Sequence, residues 1–137
     1  MDGYGKRVLV VDDDDTIRNM LTVLLFQKGY SVHAVSDGQE ALTEMKRRHF
    51  DVVITDSSMP RLDGMEFLSV SRVVWPDTPV ILVSGGRLDL SATAVQRGAH
   101  AWVHKPYEPS MLLEIVLDAA HMSEDRRVRK FSSPAVG

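Results

Sequence analysis

The stretch Val8-Leu9-Val10-Val11-Asp12-Asp13-Asp14-Asp15 sets four apolar residues directly against four carboxylates. A strand with one wet face alternates apolar and polar residues. A continuous apolar run is the mark of a strand buried on both faces, as in a parallel sheet between two helix layers. The pattern recurs at Val52-Val53-Ile54, which leads to Asp56, and across Pro79 to Ser84. Ser31 to Val35 and Ala101 to His104 are shorter and more polar, which places them nearer the sheet edges.

Helical periodicity fills the gaps. Ile17, Met20, Leu21, Leu24 and Leu25 form one stripe, closed by Gly29. Ala41, Leu42 and Met45 mark a second helix, and Met65, Leu68 and Val73 a third. A fourth runs from Asp89 to Arg97 and stops at Gly98. The fifth starts at Pro109, a favoured first-turn residue, and continues through Leu112, Ile115, Val116 and Ala119. Strand and helix alternate five times, which predicts an α/β domain with an open, doubly wound (βα)5 parallel sheet. One domain is expected over residues 6–122. Residues 123–137 carry Arg126, Arg127, Arg129 and Lys130 ahead of Ser132-Ser133-Pro134 and are expected to be a frayed helix end and flexible tail or linker.

Composition narrows the function classes. The 137 residues are 44% hydrophobic and 26% charged, ordinary for one globular domain, and long enough to need no disulfide or structural metal to fold. Without cysteine there is no thiolate nucleophile and no cysteine-based metal site. No apolar run reaches the roughly 18 residues of a membrane span, and no signal-peptide pattern precedes Val8. A net charge of -3 gives no reason to expect nucleic acid as a partner. A soluble, cytoplasmic protein is the default expectation.

Ligands of open α/β sheets bind beyond the carboxyl ends of the strands. Asp12 to Asp15 follow the first strand, Asp56 the third, Ser84 the fourth and Lys105 the fifth. Clustered carboxylates repel one another, so a dication is their natural stabiliser. Oxygen ligands without His or Cys select Mg²⁺, or Mn²⁺ as the alternative, over zinc. A hydroxyl and an ammonium facing that metal complete a cradle for a phosphoryl group. A carboxylate beside the metal can itself be the nucleophile, giving an aspartyl-phosphate. Asp14 or Asp15 is better read as a helix N-cap, and Asp63-Gly64 as a turn into the third helix. The five histidines share no face or ligand spacing.

Val10-Val11-Asp12-Asp13, Asp56 with Met59-Pro60 and Asp63-Gly64, Pro79 to Ser84, and Lys105-Pro106 together resemble the receiver domain of a two-component response regulator. The resemblance covers Lys6 to Met122. It implies a flavodoxin-like, chemotaxis-regulator-like fold with strand order 2-1-3-4-5 and a phosphorylation-activated signalling switch rather than a turnover enzyme. Asp56 is then the phosphoacceptor, supplied by a histidine kinase or a histidine phosphotransfer protein. Asp13, Asp56 and the Ser58 backbone carbonyl are implied as Mg²⁺ ligands, with Asp12 acting largely through water. Ser84 is implied to swing toward the phosphoryl group, and Lys105 to pair with the acceptor and then with a phosphoryl oxygen. Trp102 falls at the aromatic switch position, and Lys105-Pro106 at a peptide usually cis. An effector domain or protein target, and a phosphorylation-dependent homodimer, are the further partners implied. The pattern departs from the family at Ser84, where Thr is more usual, and at Gly85-Gly86.

Two other readings compete. Val8 to Thr16 also resembles the first motif of haloacid-dehalogenase-type phosphatases, with Asp12 as nucleophile. That reading leaves Asp56 and Asp63-Gly64 without a purpose, and the chain has no room for a cap insertion. A receiver-like scaffold that is never phosphorylated keeps the fold but leaves five filled active-site positions idle.

Overall fold

A computed structural model describes residues 3–59, 61–86 and 89–132, with side chains through Arg126. Five strands and five helices alternate along the chain: β1 (Arg7–Val11), α1 (Asp15–Gln27), β2 (Ser31–Val35), α2 (Gly38–Arg47), β3 (Val52–Asp56), α3 (Gly64–Val74), β4 (Val80–Ser84), α4 (Ser91–Gln96), β5 (Ala101–His104) and α5 (Pro109–Ser132). The strands form one sheet in the order β2-β1-β3-β4-β5, and every pairing is parallel. The more polar β2 and β5 are its edges, as their composition foretold.

Successive strand residues point to opposite faces, so each continuous apolar run feeds two cores. Val8, Val10, Val52, Ile54, Ile81, Val83 and Val103 pack with Leu21 and Leu25 of α1 and Leu112, Val116 and Ala119 of α5. Leu9, Val11, Val53, Val80 and Leu82 pack with Ala41 and Met45 of α2, Phe67 and Leu68 of α3 and Ala94 of α4. The sheet is thus sandwiched between α1 and α5 on one side and α2, α3 and α4 on the other.

Gly29 and Gly98 end α1 and α4 with φ of +91° and +98°. Four expectations need correction. Met20 is not inside the α1 stripe but turned to its rim, leaving Leu21 and Leu25 to bury the helix. Val73 is 81% exposed, because the buried face of α3 is set by Gly64, Phe67, Leu68 and Ser71. Helix α4 begins at Ser91 rather than Asp89, since the Asp89 carboxylate accepts from the Ser91 amide at 2.9 Å and holds a turn ahead of it. Helix α5 does not fray after Met122. Ser123 is buried, Glu124 pairs with Lys6 at 2.6 Å, and no Gly or Pro interrupts the chain before Ser132. The tail expected over residues 133–137 lies outside the described residues. No helix among the described residues is long and apolar enough to cross a membrane.

Candidate functional site

Strands β1 and β3 are neighbours at the middle of the sheet, with Val11 opposite Thr55. The next residue on each strand therefore delivers a carboxylate to the same edge. Carboxylate oxygens of Asp12, Asp13 and Asp56 all lie within 4.8 Å of one another. Asp12 is buried at 4% exposure, Asp56 is partly buried, and Asp13 faces solvent.

Lys105, at the end of β5, reaches the same point. Its Nζ stands 3.8 Å from Asp56 Oδ1 and 3.9 Å from Asp12 Oδ2. Its backbone amide donates to the Ser84 carbonyl at 2.7 Å, tying the ends of β4 and β5 together. The Lys105-Pro106 peptide is cis, as expected. Ser84 is buried at the end of β4, and among the described residues its Oγ accepts a single long 3.4 Å bond, from the Gly86 amide. Ser58 is exposed, and its backbone amide hydrogen-bonds the Asp56 carboxylate.

The electrostatics are unbalanced. Burial pushes the Asp12 carboxyl above its ordinary range, and the Asp56 and Asp13 charges add to it, while the Asp14 amide and Lys105 oppose. Burial likewise raises Asp56 and Asp13 adds to it, against Lys105 and the Ser58 and Ser57 amides. One ammonium does not offset three close carboxylates, two of them withdrawn from water. The donor set fits a hard divalent cation such as Mg²⁺, which takes carboxylate, carbonyl and water oxygens. This cluster is where such an ion has a reason to bind.

The surrounding loops are built to hold these groups still. Asp14, one of the two candidates for the cap, is the N-cap of α1: its carboxylate accepts from Thr16 and Ile17 at 2.9 and 3.3 Å. Asp63 caps α3 through the Glu66 amide at 2.9 Å. Gly64 has a second purpose beyond the turn. A Cβ there would sit 2.5 Å from the Asp56 carbonyl oxygen and 2.8 Å from Ser57 Cα, so only glycine lets α3 abut the end of β3. Met59 is buried in the α2–α4 side core and anchors the loop. Its partner Pro60 lies outside the described residues. Trp102 stands on β5 opposite Leu82, packed on that same core rather than on the acidic cluster. Its indole Nε1 is buried and finds no hydrogen-bond partner among the described residues.

Sequence reasoning missed three supports. Asp37, buried at the start of α2, caps Glu40 at 2.9 Å and pairs with Arg61 Nε at 3.4 Å. Gly38 packs against Leu62, so β2–α2 clamps the loop after Asp56. The Asp-Gly pair three residues before Glu40 was the available signal for that cap. Arg18 of α1 donates to the Asp12 carbonyl. The third is Tyr107, half-buried, its hydroxyl raised by burial and by the nearby Asp12 charge. It lines a groove of about 400 Å³ with Ile17, Met20, Lys105, Pro106 and Pro109. His33, His49 and His100 pair elsewhere, with Arg48, Asp51 and Asp118.

Comparison with known proteins identifies a family. Residues 8–117 match the model of the response regulator receiver domain. The response regulator protein FleR of Pseudomonas aeruginosa is 35% identical over 113 residues, 82% of this chain but 24% of FleR. The DNA-binding response regulator MtrA of Mycolicibacterium smegmatis is 30% identical over 135 residues, 96% of this chain and 58% of MtrA. Among solved structures, the chemotaxis response regulator CheY4 of Vibrio cholerae superposes with a TM-score of 0.77 at 32% identity, covering 84% of this chain and 98% of CheY4.

Proposed function

From the membership of this chain in the response regulator receiver domain family, we propose that Asp56 accepts a phosphoryl group in a Mg²⁺-dependent reaction and that this drives a signalling switch. Receiver domains of this family are signalling switches of two-component systems, and that membership favours Asp56 over the haloacid-dehalogenase-type reading with Asp12 as nucleophile. The donor is a phosphohistidine, on a sensor kinase or a phosphotransfer protein. An Asp56 carboxylate oxygen bonds to phosphorus as the P–N bond breaks, and the electron pair leaves with the donor imidazole.

The observation that carries this reading is the approach of Lys105 to Asp56 and Asp12 at one sheet edge. Asp13, Asp56 and the Ser58 carbonyl would hold the metal, with Asp12 behind them. A metal held there would supply positive charge to offset that on the transferring phosphoryl oxygens. Lys105 first pairs with the acceptor and then follows the phosphoryl oxygen. The Ser84 hydroxyl, held among the described residues by one long bond, turns toward that oxygen and draws its loop inward. Trp102 then responds to the space vacated near α4, and the α4–β5–α5 face changes shape. The groove beside Lys105, continued by exposed Met20, Val23 and Phe26 along α1, offers an apolar seat for the donor.

The curated relatives are longer than this chain, so an effector segment or a separate protein target is the proposed reader of that face, with a phosphorylation-dependent second copy as a further one. Residues 6–122 are the switch proper, and the α5 extension and tail are its link to the reader. The cytoplasm, where soluble kinase domains work, is the proposed location. Acetyl phosphate with Mg²⁺ should add one phosphoryl mass, mapped to Asp56. Continuous turnover through Asp12 would revive the phosphatase reading, and no adduct with either donor would leave a scaffold.

A further inference from the structure

Arg18 lies one turn into α1, directly above the acidic loop. One guanidinium nitrogen donates to the Asp12 carbonyl at 2.7 Å, and the other pairs with the Asp15 carboxylate. The side chain is only 19% exposed. Asp12 is fixed at two further points: its amide donates to the Val35 carbonyl at 3.1 Å, and its carboxylate accepts from Asp14 at 2.9 Å. The carbonyl held by Arg18 belongs to the peptide unit that joins Asp12 to Asp13. Holding that plane fixes the direction in which the chain enters Asp13, the exposed carboxylate of the cluster.

A cation this close to three carboxylates invites a simpler explanation, that Arg18 offsets their charge. The contacts argue otherwise. Its fork points at a carbonyl and at Asp15, outside the cluster, so Asp15 already takes up its charge. What the guanidinium supplies to the site is geometry, through a planar fork that lysine cannot reproduce.

On the metal reading given above, we infer that Arg18 is the positioning residue of the metal site, holding the Asp12–Asp13 peptide so that the Asp13 carboxylate meets the ion. The two explanations predict opposite signs. A guanidinium acting only by charge repels a dication, so its removal would tighten metal binding. A guanidinium acting by position leaves the ligand loose when removed, so binding weakens. Mg²⁺ demands near-ideal octahedral geometry, whereas Ca²⁺ tolerates irregular shells, so the loss should fall mainly on Mg²⁺.

The test is calorimetric titration of the full chain with Mg²⁺ and with Ca²⁺, for wild type, Arg18→Ala, Arg18→Lys and Asp13→Asn. Arg18→Ala should raise the Kd for Mg²⁺ roughly tenfold, within the range of supporting-residue losses at metal sites, with a smaller rise for Ca²⁺. Arg18→Lys keeps the charge and the helix, and should still bind Mg²⁺ more weakly than wild type. Unchanged or tighter Mg²⁺ binding in either variant, or an equal loss for both ions, would overturn the inference. A wild type that ignores Mg²⁺, or an Asp13→Asn variant that binds it undiminished, would instead refute the metal reading and take the inference down with it.

Discussion

The acidic cluster is flanked by two unlike corners. On the side of β1, β2 and β3, polar contacts bind every loop: Asp14 caps α1, Asp63 caps α3, Asp37 caps α2 and pairs with Arg61, and Arg18 grips the Asp12 carbonyl. Gly64 lets α3 press against the end of β3. On the side of β4 and β5, among the described residues the Ser84 hydroxyl accepts one long 3.4 Å bond, Gly85 and Gly86 follow, and α4 is six residues long, with no side-chain bond from its N-cap residue Leu90 and the Asp89 carboxylate on the Ser91 amide as the tie ahead of it. The buried Trp102 Nε1 there finds no hydrogen-bond partner among the described residues, an arrangement that typically costs about 1–3 kcal/mol. A switch needs this division. On the proposed reading, one corner would keep the acceptor and the metal ligands in place, and the other, with fewer ties, would rearrange for little free energy.

Four substitutions test the division. The largest effect is expected on the fixed side: Asp56→Asn should abolish phosphoryl uptake from acetyl phosphate, measured by intact mass, and uptake at full stoichiometry would remove the acceptor from this corner. Gly64→Ala comes next. Its Cβ meets backbone at 2.5 Å, so overpacking should cost about 1–3 kcal/mol in chemical denaturation. A neutral Gly64→Ala would mean that corner is not tightly built.

Asp12→Asn should stabilise the metal-free protein. Burial raises the Asp12 carboxyl, so its ionised form opposes folding. A carboxyl raised in the fold contributes stability that is fully present below its unfolded value, near 4, and lost as pH rises through the folded one. The variant should therefore melt higher than wild type at pH 7 in chelator, and the advantage should vanish below about pH 4. Equal melting at both pH values would contradict the imbalance. The smallest effect belongs to the loose side. A Cβ at Gly85 meets only the Lys105 side chain at 3.4 Å, so Gly85→Ala should be neutral or stabilising by about 0.4–1 kcal/mol, through reduced chain entropy. A loss as large as that of Gly64→Ala would erase the contrast.

Much of this could be read from the chain. Apolar runs at Val8–Val11 and Val80–Val83 encode strands buried on both faces, and that burial is a property of consecutive residues. Strand ends then place Asp12, Asp56, Ser84 and Lys105 on one edge, because parallel strands all finish there. The ties that stiffen the fixed corner were not legible. Arg18 to the Asp12 carbonyl and Asp37 to Arg61 depend on rotamers and on the path of a loop, including the positive φ of 68° at Arg61, which no periodicity records. The extent of α5 was missed for another reason. Its basic composition suggests a solvated tail, whereas helix continuity there is set by the burial of Ser123 and the Lys6–Glu124 pair.

Backbone hydrogen exchange, followed residue by residue with and without Mg²⁺ and beryllofluoride, tests the central claim most directly. Amides of Thr16, Ile17, Glu66 and Phe67 should be protected in the free protein and change little on adding the phosphoryl mimic. Those of Gly85, Gly86 and α4 should exchange quickly at first and slow markedly once Ser84 is drawn inward. Protection that changes equally at both corners, or only at the starts of α1 and α3, would contradict the division of the site into a fixed half and a moving half.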